Sequence, residues 1–215
     1  MPERVSWGTI NEVGIQGGNE RCIELPLALE FMALDTPGRV LDAGCALNGH
    51  LPPEHAAQVF HLSQSLHGEA RPRGNRVTSY IAFDIRGLRT LFAEEAFNRG
   101  VCISTLEHIG MNNEGYGGTV EHCPESQELA LYAFDWVCED WLITVPYRSD
   151  PVDHRKWIHW GAKEVNRTLQ KFHGSEARYW ALVDGLWVGG GTSPLIPDDD
   201  RHTDKVHQIV AIRRV

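Results

Sequence analysis

Two short stretches of this 215-residue chain carry residue types that could hold a cofactor and move a proton. The first is Val40-Leu41-Asp42-Ala43-Gly44-Cys45-Ala46-Leu47-Asn48-Gly49, an apolar run ending in an acid and then a turn of small residues. At the carboxyl end of a first parallel strand, such a turn lets backbone amides approach a nucleotide-type cofactor, and large side chains there would block the approach. The second is Val101-Cys102-Ile103-Ser104-Thr105-Leu106-Glu107-His108-Ile109-Gly110, a buried strand that runs into polar residues. A third cluster, His154-Arg155-Lys156-Trp157-Ile158-His159-Trp160, sets aromatic faces suited to an apolar or sugar ring beside two histidines. Its plainer reading is a helix start whose tryptophans pack on a sheet edge. Glu107 could orient His108 or bind a cation, but solvent is its expected environment. Arg21 and Glu24 read either as a surface salt bridge or as a pair folded over the cofactor and substrate. His50, His55, His61 and His67 match no common ligand spacing, so no metal is expected and surface positions are. Cys45 reads as a small filler rather than a nucleophile.

The elements that must position these residues alternate between strand and helix. Residues 24–34 have near-helical apolar spacing, with Pro26 suited to a first turn. Residues 40–43 form the first strand. Residues 53–67 are either one helix, or a short helix over 53–57 followed by a second strand over 58–62. Residues 77–84 read as a strong strand closed by Asp84. A helix is expected over 88–97, a buried strand over 101–105, and an amphipathic helix over 125–137 with Leu129, Tyr132, Ala133 and Trp136 inward. A strand over 141–145, a helix over 162–172 and strands over 179–183 and 208–212 complete a largely parallel three-layer α/β sheet. Residues 1–20 are polar and Gly-rich and are expected to form an arm or lid on a single domain spanning 1–215.

The two motifs resemble those of class I S-adenosylmethionine-dependent methyltransferases. Residues 40–45 look like the family's first glycine motif, 101–110 like its fourth-strand motif, and Leu142-Ile143-Thr144-Val145-Pro146-Tyr147 like its fifth strand. The wording Ser-Thr-Leu-Glu-His-Ile-Gly, with Tyr116-Gly117 soon after, is closest to small methyltransferases from sugar and natural-product clusters. The resemblance covers roughly residues 21–147. It implies a three-layer Rossmann-like methyltransferase fold, with a mostly parallel seven-stranded sheet and an antiparallel final strand. S-adenosyl-L-methionine is the implied cofactor, and the implied acceptor is a small molecule, a hydroxyl of a sugar or secondary metabolite ahead of an amine. Asp42, Gly44 and Ala46 would line the methionine end. Asp84 would accept from the adenine amino group with Ile85 beside it, and Ser104 and Thr105 would lie beneath the cofactor near the sulfonium. The acid that grips the ribose falls near Ser63 if 58–62 is the second strand, and on Asp84 if 77–83 is.

Methyl transfer to a hydroxyl needs alignment and a base that takes a proton, and a histidine titrating near neutrality suits that task. His108, just past the fourth strand, is the expected base, with His154 as the alternative. Tyr116, Tyr147 and Trp157 are the candidate substrate contacts, though core packing suits Tyr147 equally well. Ala46 stands where a glycine is common, and residues 135–140 lack the usual Pro-Gly-Gly turn. A non-catalytic cofactor-binding or partner subunit therefore stays open. A nicotinamide-dependent oxidoreductase fits less well, because it needs a fuller G-x-G-x-x-G and a catalytic set that this sequence lacks.

The bulk numbers set the outer bounds. A formal net charge of −9 argues against nucleic acid, where phosphate contacts need clustered Lys and Arg. No run approaches the roughly 18 apolar residues of a membrane span. The first residues lack the charged-then-apolar layout of a signal peptide. Five scattered cysteines without a CxxC pair fit a reducing cytoplasm. A homodimer is left open.

Overall fold

The apolar runs of the sequence become one nine-stranded sheet in the computed structural model. It describes residues 7, 15–16, 19–33, 37–51, 53–64, 79–114, 121–150, 153–184, 186–194 and 208–215. The strands are β1 (Ile15–Gln16), β2 (Val40–Ala43), β3 (Val59–Ser63), β4 (Ser79–Ala82), β5 (Phe97–Ile103), β6 (Cys138–Pro146), β7 (Ser175–Val183), β8 (Leu186–Gly191) and β9 (Gln208–Arg214). Their spatial order is β1-β8-β7-β9-β6-β5-β2-β3-β4. Strands β2 to β6 run parallel. The chain moves outward from β2 through β3 to β4, then returns to place β5 on the other side of β2. That reversal between β2 and β5 is where open α/β sheets bind ligands.

The helices are α1 (Arg21–Met32), α2 (Leu88–Leu91), α3 (Ser126–Val137) and α4 (Ala162–Lys171). On one face α1 buries Ile23, Leu27, Ala28 and Met32 against Val40, Val59, Val101 and Leu142. On the other, α3 and α4 bury Ala130, Leu131, Phe134 and Val165 against Leu41, Leu62, Cys102 and Ile143. The β2, β3 and β5 side chains divide between the two faces by the period of two that a pleated strand imposes.

Three sequence expectations are corrected. The sheet has two strands beyond seven, and its antiparallel part comprises β1, β7, β8 and β9 rather than one final strand. β8 ends in Gly189-Gly190-Gly191, whose low strand propensity hides it from pattern reading. The helix expected over 88–97 stops at Leu91, because Phe92 turns extended and Phe97 joins β5, where tertiary pairing overrides helical composition. The stripe expected to face inward on α3 is half right: Ala133 is buried and Trp136 packs against the core, but Leu129 and Tyr132 are 61% and 41% exposed, and Ala130, Phe134 and Val137 are buried in their place. Gly100 admits the Phe134 ring, which a Cβ there would meet at 2.6 Å. Within the segment expected to form an arm or lid, the described residues make contacts with the antiparallel half of the sheet. Ile15 and Gln16 pair with Trp187 and Leu186, and Trp7 packs edge-on against Trp180 at 6.5 Å between ring centroids. The second-strand alternative is settled in favour of β3, preceded by a 3-10 turn over Pro53–Gln58.

Candidate active site

The carboxyl ends of β2 and β5 lie side by side, Asp42 opposite Val101 and Ala43 opposite Cys102. Beyond them the backbone leaves the usual regions: Gly44 has φ 101°, Cys45 φ 59° and Ser104 φ 40°. Strained non-glycine residues cost about 1–3 kcal/mol each and gather where a site demands a particular backbone path. A Cβ on Gly44 would stand 2.0 Å from Thr105 Oγ1, so only glycine lets the two strand ends approach this closely. Ala46 is 8% exposed and Cys45 is 1% exposed, its thiol pushed up by burial and by the charge of Asp42. The expected filler role for Cys45 fits that environment.

Asp42 is fully buried, and its Oδ2 accepts from the Leu47 backbone N–H at 3.0 Å and contacts His61 Nδ1 at 2.6 Å. Its Oδ1 has no hydrogen-bond partner among the described residues. His61 is therefore no surface histidine. It is 1% exposed because it stands in register with Asp42 on the neighbouring strand. His50 is exposed and His55 half-buried, while His67 lies outside the described residues. Among the described residues no group of three His, Cys, Asp or Glu is placed to hold a metal ion.

Glu24 on α1 reaches over the ends of β5 and β6. Its Oε1 accepts from Ser104 Oγ at 2.5 Å and Thr144 Oγ1 at 2.6 Å, and its Oε2 from Arg21 Nη1 at 3.1 Å. Burial raises its pKa, against the pull of Arg21 and the two hydroxyls. The pair is a salt bridge, but one carboxylate is fully buried rather than at the surface. Glu107 is also corrected: it is 2% exposed, and burial drives its pKa well above the usual carboxylate range. Its own carbonyl accepts from the Ile158 N–H and Gln127 Nε2, each at 3.2 Å. Glu107 Oε2 has no hydrogen-bond partner among the described residues.

His108 follows in a 3-10 turn, Leu106–His108, at the same rim. Its Nδ1 lies 2.8 Å from the Lys156 carbonyl oxygen, an acceptor, so Nδ1 carries the hydrogen and Nε2 the lone pair in the neutral ring. Burial lowers its pKa. The Lys156 carbonyl belongs to a tight turn over 153–158 rather than to a helix start. Asp153 bridges Ile158, His154 N–H bonds the Trp157 carbonyl and Arg155 takes φ 65°. Asn112 N–H to the Arg155 carbonyl, at 2.8 Å, and Ile158 N–H to the Glu107 carbonyl fasten this turn to the rim. On it His154 stacks on Trp157 at 4.3 Å, with His159 edge-on to Trp157 at 4.6 Å. Trp160 turns into the core and donates to Gln127 Oε1 at 2.8 Å.

The remaining sequence candidates separate. Ser63 ends β3, half-buried. Asp84 caps the next 3-10 turn and takes four contacts from Arg86 at 2.6–3.1 Å, roughly the full acceptor capacity of a carboxylate. Burial pushes its carboxyl up, but Arg86 outweighs that and holds it below the usual range. Ile85 is 5% exposed in the core. Tyr147 is 4% exposed and packs edge-on against Tyr179 at 5.0 Å, so of its two readings the core is the one realised in this structure. Tyr116 lies outside the described residues. Sequence reasoning missed His61 and Tyr80. Their signal was the apolar-apolar-polar-apolar pattern shared by residues 40–43 and 59–62, which brings Asp42 and His61 level.

No protein-family model matches the sequence, and no curated protein matches it. Solved structures do. An S-adenosylmethionine-dependent methyltransferase from Archaeoglobus fulgidus superimposes with a TM-score of 0.59 at 11% identity, over 92% of this chain and 95% of that one. The fold is that of Rossmann-like methyltransferases. The 1,6-didemethyltoxoflavin-N1-methyltransferase of Burkholderia thailandensis, with bound 1,6-didemethyltoxoflavin and S-adenosylhomocysteine, matches with a TM-score of 0.52 at 18% identity, over 87% of this chain and 75% of that one. A methyltransferase from Methanosarcina mazei matches with a TM-score of 0.51 at 14% identity, over 86% and 95%. Within this fold the Gly44 turn and the Leu106–His108 turn follow the neighbouring ends of β2 and β5.

Proposed function

We propose that this protein transfers a methyl group from S-adenosylmethionine to a small-molecule acceptor, a hydroxyl in preference to an amine. The observation that carries the proposal is Asp42 Oδ1, a buried and unpartnered carboxylate oxygen directly before a glycine turn at the sheet reversal. A buried acceptor left open costs about 1–3 kcal/mol unless a ligand fills it, and an ammonium such as that of the methionine end suits it. Gly44 supports the same reading, since the lack of a Cβ lets the turn pack directly on Thr105 and holds its backbone beside the end of β5. Asp42, Gly44 and Ala46 would hold the methionine end, Ser104 and Thr105 would lie beneath it, and Ser63 and Ile85 would border the nucleoside. Asp84 can accept from adenine only by giving up part of its contact with Arg86. When bound, the cofactor supplies an electrophilic methyl on a positively charged sulfur.

The chain's own part is alignment and proton transfer. His108 presents Nε2 as the basic nitrogen, its ring fixed through Nδ1 on the Lys156 carbonyl. The pKa lowered by burial keeps it neutral at physiological pH, ready to accept a hydroxyl proton. His154 and Trp157 offer a stacked aromatic wall to an acceptor ring. Calorimetry with S-adenosylhomocysteine, followed by single-turnover assays against hydroxyl and amine acceptors, tests the reading. Binding with methyl transfer to a hydroxyl is expected. No binding at millimolar ligand overturns it, and binding without transfer to any acceptor marks a non-catalytic subunit instead.

A further inference from the structure

Three polar residues stand level across three adjacent parallel strands: Asp42 on β2, His61 on β3 and Tyr80 on β4. Their neighbours two residues earlier on β2 and β3 are Val40 and Val59, both in the apolar cluster beneath α1. A sheet face that served only stability would continue with apolar residues, because buried polar groups gain little over a well-packed hydrocarbon.

The row closes on the glycine turn. Asp42 Oδ2 accepts from the Leu47 N–H at 3.0 Å and meets His61 Nδ1 at 2.6 Å. The His61 ring stacks on Tyr80, with centroids 5.1 Å apart and planes 25° from parallel. Tyr80 then donates its hydroxyl to Asn48 Oδ1 at 2.9 Å. Leu47 and Asn48 are consecutive in the turn, so the contacts run from the turn through three strands and back to it. Both oxygens of Asp42 are thereby sorted: Oδ2 is filled, and Oδ1 has its direction fixed.

We propose that His61 and Tyr80 are positioning residues that brace the glycine turn and aim Asp42 Oδ1 at the amino group of the cofactor's amino-acid end. The proposal rests on the cofactor reading above. The brace acts on one end of the ligand only, and this separates it from a general contribution to folding. Its loss weakens ligands that carry the amino-acid tail and spares those that lack it.

The test compares S-adenosylhomocysteine with methylthioadenosine, which keeps the nucleoside and loses the tail, by calorimetry on the full chain. His61→Phe keeps a ring against Tyr80 but removes the donor to Asp42, and should weaken S-adenosylhomocysteine about tenfold or more while changing methylthioadenosine less than about twofold. His61→Asn, whose amide can stand in for Nδ1–H, should recover most of that loss. Tyr80→Phe removes only one oxygen from a half-buried site, and should cost about threefold on the tailed ligand alone, which keeps the test decisive if His61→Phe does not fold. Equal losses for both ligands, or no loss for either, overturn the brace. A wild-type protein that binds neither ligand overturns the cofactor reading and the brace with it. A wild-type protein that binds both, with unchanged variants, overturns the brace alone.

Discussion

His108 and Glu107 are neighbours in one turn, and burial acts on them in opposite directions because one is charged when protonated and the other when deprotonated. For His108 the lowered pKa means that the inactive, protonated ring accumulates only below the ordinary histidine range near pH 6.5. The acid limb of kcat/KM should therefore fall below that value in a pH–rate profile. His108→Ala should lower kcat by about 100-fold and leave S-adenosylhomocysteine affinity unchanged in calorimetry. For Glu107 the folded pKa is raised, so its contribution to stability is complete below the unfolded value near pH 4.3 and is lost as pH rises through the folded pKa. Glu107→Gln removes that loss. Its melting temperature should exceed wild type at pH 8 by about 3 °C or more, with the gap closing towards pH 4. The placement of Asp42, Gly44, Ser104 and His108 at the ends of β2 and β5 was legible in the sequence because each lies within a contiguous motif. The contacts of Glu24 with Ser104, of His61 with Asp42 and of Tyr80 with Asn48 were not, because they span 80, 19 and 32 positions respectively.

The glycine turn works because of what stands against it. Gly44→Ala combines a φ of 101° with a Cβ driven into Thr105, and should abolish cofactor binding and lower stability by about 2 kcal/mol or more, measured by urea denaturation. Adding Thr105→Ala should restore only part, since it removes Oγ1 and Cγ2 but leaves the Cβ contact at 2.8 Å and the positive φ. At this scale the sequence was most informative where an element is long and periodic. The existence and approximate bounds of α1, α3, α4 and β6 follow from apolar spacing. The inward stripe of α3 followed only for Ala133 and Trp136, since apolar residues line two sides of that helix and only the sheet decides between them. The turn over 153–158 was also hidden: its histidines and tryptophans suit a helix, and its bonds to the Glu107 carbonyl and the Asn112 N–H bind it to a segment more than forty residues away.

Across the whole molecule the parallel half, β2 to β6, carries the candidate site, and the antiparallel half holds Trp7, Ile15 and Gln16. Trp7 donates its backbone N–H to Glu30 at 3.0 Å and its indole N–H to Glu176 at 2.8 Å, and Arg213 lies 4.4 Å from its ring centroid. Trp7→Ala should lower the melting temperature by about 10 °C, given the usual 3–5 kcal/mol for a buried tryptophan, while cleft affinity stays the same. The apolar runs of β7 and β9 were legible along with the parallel strands, whereas two-residue β1 and the glycine-ended β8 offered no pattern to read. The short pairing of Ile15 and Gln16 with Trp187 and Leu186 has a colloidal consequence. An unpaired outer strand is a template on which a second molecule can add. Here two residues of the chain occupy that template themselves, and removing residues 1–17 would free it, so that the shortened protein associates edge to edge more readily as its concentration rises.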